Sequence, residues 1–452
     1  MNEQNTKLSR RSFLRMAGIV AGATALAACA PAPVGQQPAA SSDAAADTAP
    51  AAEAGNLVMY TRLTDNPQLE MLAEKYAAEH PGMTLEIASF DGRDMLTKLT
   101  TAIAGGLPPD LVMIDIAFTA QFADRDVLMD LGDIVSQGGM KEDAFKGYDV
   151  GTTWKGKYIS YPMWSDCSAL YYNKKLMTDA AVASMEGPKS WDEIKEQATA
   201  VHGLGEDIWG FLTNVTSSGA TWFLWAPFMW AAGGETFDAE ITETLFDSPE
   251  AMSAAALWVD MYEAGLSPIE CVSGTWGDVE GLFTSSKSGM LLSGPYMVDL
   301  MASTFPELEY GITLIPGPKA GMTSSFVGGD GMSIIDATKQ KEASIEAFQW
   351  LTDAKLMKDT AMANNGKWIS GLPPRNSAAD AEYLAQFPNY QVFVDALGVG
   401  TLVNHPAIFE IDKPLKLAFE KMMLEDMAVE DAMAELDAAG DEIIARYNST
   451  QS

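Results

Sequence analysis

Apolar and polar positions follow two rhythms in the first part of the folded chain. Leu57 to Thr61 is a short apolar run, after which Gln68 to Glu79 places Leu69, Leu72, Ala73 and Tyr76 on one helical face. His80-Pro81-Gly82 stops that helix. Met83 to Phe90 predicts a second strand, Asp94 to Ala104 a second helix ended by Gly105 to Pro109, and Asp110 to Asp115 a third strand of Leu, Val, Met and Ile. Strands that are apolar throughout and separated by amphipathic helices imply a mostly parallel sheet covered on both faces. In such a lobe, ligands collect at the carboxyl ends of the strands.

The pattern changes further on. Trp154-Lys155-Gly156-Lys157-Tyr158 predicts a hairpin turning at Gly156 and leading into Ile159 to Pro162. A helix-rich stretch follows from Trp191 through Met261, then strand-like pieces at Gly289 to Leu292, Gly311 to Ile315 and Asp330 to Ile335. Lys341 to Leu351 predicts a helix, and the chain ends in the amphipathic run Val429 to Tyr447. At 452 residues the chain exceeds what one core serves and predicts two or three domains.

The amino terminus reads as an address. Residues 1–28 carry Lys7, Arg10, Arg11 and Arg15 against one acid, Glu3, and Met16 to Ala28 has no charge. A basic segment, a short apolar run and small residues make a secretory signal, too short for a permanent membrane helix. SRRSFLR at Ser9 to Arg15 resembles the twin-arginine export signal, and Leu26-Ala27-Ala28-Cys29 resembles a lipobox, which predicts lipidation at Cys29. Residues 29–55, rich in Ala, Pro, Ser, Gln and Asp, bury too little to fold and are expected to form a tether spanning roughly 25–30 Å on average. The expected location is the outer face of the bacterial cytoplasmic membrane, in the periplasm or at the cell surface.

Charge excludes one class of partner. Lys and Arg number 29 against 62 Asp and Glu, a net charge of −33, which repels polyanions and argues against nucleic acid. Nor is this an acidic disordered chain, because 47% of the residues are apolar and 9% aromatic.

Signs of catalysis are sparse. His80, His202 and His405 stand far apart and read as surface or capping residues. GTTWKGKY, Gly151 to Tyr158, comes within one residue of a phosphate-binding loop, but Tyr158 stands where Ser or Thr must hold magnesium, so the hairpin reading is better. For Cys167 and Cys271 a bridge and two free thiols both fit, with their apolar neighbours favouring buried thiols. No metal, cofactor or catalytic residue is implied.

The aromatic residues stand out. Ser217 and Ser218 precede Trp222, Phe223, Trp225, Phe228 and Trp230, predicting a serine-capped helix that leads into large flat side chains. Phe223, Phe228 and Trp230 are expected in the core. Trp222, in the first turn, is a candidate ligand surface, because an indole offers an apolar face and one donor to solutes that have both C–H faces and hydroxyls. Trp164 and Tyr296 are similar candidates.

YISYPMWSDCSALYYNKKL, Tyr158 to Leu176, and PKSWDEI, Pro188 to Ile194, resemble the extracellular solute-binding proteins of ABC importers, in the family that includes maltose-binding protein. GLPPDLVMID at Gly106 to Asp115, AAGGETFD at Ala231 to Asp238 and LFDSPEAMSAAALWVDMYEAG at Leu245 to Gly265 continue the resemblance. GPYM at Gly294 to Met297, YGITLIPGP at Tyr310 to Pro318, VGGDGMSI at Val327 to Ile334 and GLPPR at Gly371 to Arg375 follow in the family's order. SSKSGM at Ser285 to Met290 departs from the usual pattern.

The resemblance implies an α/β, two-lobed periplasmic-binding-protein fold with several hinge crossings, near Asp166, Ile312 to Pro316 and Leu372, and a helical C-terminal region. Lobe 1 is expected from 56–165 and 316–371, and lobe 2 from 166–315 and 372–452. By similarity Asp166 accepts hydrogen bonds from sugar hydroxyls, while Arg62, Asp65 and Asp115 line the first lobe's edge. Tyr296 stands where relatives often carry tryptophan. Asp330 and Arg375 lie in segments that commonly reach the cleft.

The implied function is high-affinity capture of a carbohydrate by a monomer and its delivery to ABC transporter transmembrane subunits. Maltose itself is not implied. The alternatives are a binding protein for a polyamine or glycerol phosphate, and an exported glycan-active enzyme.

Overall fold

The computed structural model describes residues 55–451. The expected signal peptide, Cys29 and all of the tether except Gly55 lie outside the described residues. The folded chain opens with β1 (Asn56–Thr61), α1 (Pro67–Glu79), β2 (Thr84–Ser89), α2 (Gly92–Ala104) and β3 (Leu111–Asp115), close to the bounds the pattern predicts. Asn66 caps α1, its side chain accepting from the Gln68 amide at 3.0 Å, and Pro67 occupies the first turn, where its missing N–H costs nothing. The next strands are β4 (Tyr161–Pro162), β5 (Asp166–Cys167), β6 (Ala169–Asn173) and β7 (Trp209–Leu212). After α3 (Ser218–Leu224), α4 (Ala226–Ala231) and α5 (Trp276–Thr284) come β8 (Ser288–Ser293), α6 (Tyr296–Thr304), β9 (Tyr310–Thr313), β10 (Val327–Gly328) and β11 (Asp330–Ile334). Two long helices, α7 (Ile408–Leu424) and α8 (Val429–Gln451), close the fold.

The first lobe holds a sheet of order β2-β1-β3-β11-β4, with β1, β2 and β3 parallel and β11 antiparallel to β3. The period-2 geometry of its strands explains why they read as continuously apolar. Leu57 and Met59 pack on one face with Leu69, Leu72 and Tyr76 of α1. Val58 and Tyr60 pack on the other with Met95 and Leu99 of α2. The second lobe holds a sheet of order β9-β6-β8-β7. Its strands divide in the same way: Tyr171 and Leu291 join one core, and Leu170, Tyr172, Met290 and Leu292 join another that includes Phe419 and Met433 of the terminal helices.

The chain leaves the first sheet after β4 and enters the second at β6, and it returns between β9 and β11. These crossings meet in a short antiparallel pair, with Cys167 opposite Val327 and Asp166 opposite Gly328. Ser165 also bridges Leu372, so a third segment joins the hinge. Gly329, at φ +106°, is required here, because a Cβ would stand 2.2 Å from the Trp164 carbonyl oxygen.

The hairpin at Gly156 is present, pairing Thr153–Trp154 with Lys157–Tyr158. The helix-rich middle also contains β7, whose four residues are too few to show a period against helical flanks. His80 caps α1 as expected, its ring stacked on Tyr76 at 4.2 Å. His405 differs from the surface expectation: it is buried, its Nδ1 accepts from the Ala407 amide at 3.2 Å, and desolvation lowers its pKa to about 4. Cys167 and Cys271 are free and buried. Among the described residues no helix is long and apolar enough to cross a membrane.

Candidate functional site

The strand order assembles a charged cluster from residues far apart in sequence. Arg62 follows the carboxyl end of β1, Asp115 ends β3, and Asp330 opens the antiparallel β11 directly opposite Asp115. Arg62 Nε donates to Asp330 Oδ1 at 2.8 Å, and its Nη2 lies 2.7 Å from the same oxygen and 3.2 Å from Asp115 Oδ2. The other oxygen of Asp115 accepts from the Ala117 amide at 3.1 Å and caps the short turn that follows β3. Asp330 is fully buried, and this burial pushes its carboxyl up to about 6 against the opposing pull of Arg62. For Arg62 burial works against the charged form, but Asp330 and Asp115 more than compensate and raise its pKa.

Asp166 joins this cluster from the hinge. Desolvation pushes its carboxyl up to about 7; Arg62 opposes the shift and Asp115 adds to it. Its Oδ1 is buried and has no hydrogen-bond partner in the protein. Gly294 makes room for it, since a Cβ there would stand 2.6 Å from that oxygen.

Arg62, Asp115 and Asp166 line a cavity of about 600 Å³ that also has an aromatic wall. Its size lies within the ~300–1,000 Å³ of small-molecule sites. Trp222, Phe223, Trp276 and Tyr296 supply that wall, and Phe326 adds a ring beside the hinge. Ser217 caps α3, accepting from the Ala220 amide at 3.3 Å, and so fixes the turn that presents Trp222. Trp222 is 6% exposed, packs against Phe246 at a centroid distance of 5.8 Å, and has a buried indole N–H with no acceptor in the protein.

Tyr296 is held by its hydroxyl. That group accepts from Trp276 Nε1 at 2.8 Å, donates to Glu280, and lies 2.8 Å from Ser293 Oγ, which is itself 3.1 Å from Glu280 Oε1. Burial raises the Glu280 carboxyl, and the three donors pull it back. The network fixes both rings of the wall.

The structure thus brings Arg62, Asp115, Asp166, Trp222 and Tyr296 into one cavity. Asp330 stands behind Arg62. Trp164 is buried in the core of the hinge region, and Asp65 is exposed beyond β1. Arg375 lies elsewhere, its Nε 2.7 Å from Asp143 Oδ2 and its Nη1 donating to the Thr352 carbonyl at 2.8 Å.

Phe223, expected in the core, packs against it but is only partly buried and also lines the cavity. α3 ends at Leu224 and α4 starts afresh with Pro227 in its first turn, so one helical face does not run through both. Trp276, Glu280, Phe326 and Asp412 were not singled out by the sequence. For Trp276 a signal existed: it is the first residue of a helix with a Thr275/Asp278 capping box, the same logic that marks Trp222.

The two-lobed α/β fold thus carries a polar and aromatic cavity at its hinge. The profile of the bacterial extracellular solute-binding protein family matches residues 60–358, and the chain belongs to that family. A binding protein of Brucella abortus (strain 2308) is 28% identical over 314 residues, covering 68% of this chain and 74% of its own. The diacetylchitobiose binding protein DasA of Streptomyces coelicolor is 23% identical over 326 residues, 70% of this chain and 74% of its own. The solved sugar-binding protein MalE of Xanthomonas citri shares the fold, with a TM-score of 0.77 at 21% identity over 87% of this chain and 98% of its own.

Proposed function

We propose that the protein captures a sugar or oligosaccharide between its lobes and delivers it, unaltered, to the transmembrane subunits of an ABC importer. The observation that carries this reading is one cavity lined both by the charged groups of Arg62, Asp115 and Asp166 and by the rings of Trp222, Trp276 and Tyr296. Sugars present hydroxyls along their edges and apolar C–H faces, and charged partners hydrogen-bond hydroxyls more strongly than neutral ones do. The sugar-named relative and structural neighbour support it. The ligand contacts are Arg62, Asp115, Asp166, Trp222 and Tyr296, with Asp330 holding Arg62 in place.

The moving bodies are 56–165 with 316–371 and 166–315 with 372–452, except that Arg375 stays with the first body through Asp143 and Thr352 and Pro316 with the second through Trp191; they close about the β5/β10 pair. The chain works as a monomer, exported by the twin-arginine route and held by a lipid at Cys29 through the tether. In this place the net acidity serves solubility and keeps the folded body off an anionic lipid surface.

A thermal-shift panel of mono- and oligosaccharides tests the reading. A ligand at 100 times its dissociation constant stabilises by roughly 2.7 kcal/mol, and the panel is expected to contain at least one such sugar, recovered chemically unchanged. Turnover of any glycan by the purified protein, lost on Asp166→Asn, would sink it.

A further inference from the structure

The charges facing the cavity do not balance. Among the described residues that line it, Arg62 is the one basic group, against the carboxylates of Asp115 and Asp166. The Arg62 guanidinium is already committed, to buried Asp330 and to Asp115. Asp115 is further held by the Ala117 amide. Asp166 Oδ1, in contrast, is buried without a donor.

Two groups therefore ask for partners of opposite kinds. Asp166 Oδ1 needs a donor, and a cationic donor makes a charge-assisted bond and also cancels the carboxylate's buried charge, which a neutral hydroxyl does not. The Trp222 N–H, also buried and unpaired, needs an acceptor. An acidic sugar would add charge to a cavity already negative. A polyamine would satisfy Asp166 but bring no oxygen to Trp222. A neutral sugar would serve both groups with its hydroxyls but bring no charge to Asp166, whose carboxyl then keeps its proton up to about pH 7. The wall of Trp222, Trp276 and Tyr296 accommodates a cation as well as a sugar face.

We propose that the preferred solute is an amino sugar with its amine unacylated, its ammonium seated on Asp166 and a ring or hydroxyl oxygen accepting from Trp222. This rests on the carbohydrate reading above and narrows it.

The test is calorimetry at pH 7 with matched pairs: glucosamine against glucose, galactosamine against galactose, mannosamine against mannose, and the glucosamine dimer against cellobiose and diacetylchitobiose. Glucuronic acid and spermidine are the controls. In at least one pair the amine is expected to bind about tenfold or more tighter than its neutral partner, with glucuronic acid not binding. Asp166→Asn is expected to reduce that preference to within about twofold. Equal or tighter binding of the neutral members, or a preference that survives Asp166→Asn, overturns the inference and leaves the carbohydrate reading standing. Binding of spermidine without any carbohydrate, or of nothing in the panel, contradicts both. The wild-type comparison decides the matter even if the variant fails to fold.

Discussion

Arg62 directs both its Nε and its Nη2 at a single carboxylate oxygen of Asp330, at 2.8 and 2.7 Å, so the guanidinium is held edge-on at the cavity floor by a residue 268 positions away. Asp330 is fully buried, whereas Arg62 keeps about a quarter of its side chain exposed. Removing the arginine leaves the carboxylate without its cation. Arg62→Ala is expected to lower the unfolding free energy by about 3 kcal/mol in a urea titration and to abolish ligand binding. Asp115→Ala, which leaves the Arg62–Asp330 pair intact, should cost about 1 kcal/mol or less.

Asp166 has a pH signature. Its carboxyl is held up at about 7 against an ordinary 3.8, so the folded chain keeps a proton that the unfolded chain has released over that interval. Its contribution to stability is present in full below about pH 4 and is lost as pH rises through about 7. Arg62, Asp115, Asp330 and Cys167 face it and remain in the variant. Asp166→Asn is therefore expected to match the wild type near pH 4 and to melt about 2 °C higher at pH 8 without ligand. An unchanged difference between the two proteins across that range would contradict the burial of this carboxyl.

The hydroxyl of Tyr296 joins Trp276, Ser293 and Glu280 in one network. Tyr296→Phe keeps the stacking face but strips Glu280 of a donor and Trp276 of one of its two acceptors. It is expected to cost about 1–3 kcal/mol in stability. Binding should weaken less than with Tyr296→Ala, and the two variants compared by calorimetry separate positioning from stacking.

Trp222 has two roles that substitution can divide. Trp222→Ala also removes packing against Phe246, so lost binding there mixes with a cost of about 3 kcal/mol or more in stability. Trp222→Phe retains a ring and deletes the buried N–H. It is expected to keep the fold by circular dichroism while weakening sugar binding about tenfold, the cost of one lost hydrogen bond to a ligand oxygen. Unchanged affinity in Trp222→Phe would show that the indole nitrogen does not face the ligand.

The parts of this site that were legible in sequence are those set by chain topology. The family resemblance names Arg62 and Asp115, and topology supports them, because parallel strands apolar on both faces end at a common edge where the next polar residues gather. Trp222 could be placed because Ser217 fixes where its helix starts. A resemblance, in contrast, locates a segment without saying where a side chain points. Arg375 and Trp164 illustrate this, one turned to Asp143 and the other buried among core residues. The Trp276–Tyr296–Glu280 network was not legible because α5 and α6 meet only after β8 is laid down between them. Asp412 lies near the start of α7, and only the docking of that helix brings it to the cavity.

The central claim is that a carbohydrate binds in the cavity between Asp166 and Trp222 and leaves unchanged. Titration calorimetry of the purified protein against the neutral and amino sugar panel tests it most directly. The account predicts one site per chain for at least one sugar, with a dissociation constant at or below about 1 μM, corresponding to roughly 8 kcal/mol, and loss of that heat in Asp166→Ala. A panel in which no carbohydrate gives heat, or in which binding persists undiminished in Asp166→Ala, would contradict it.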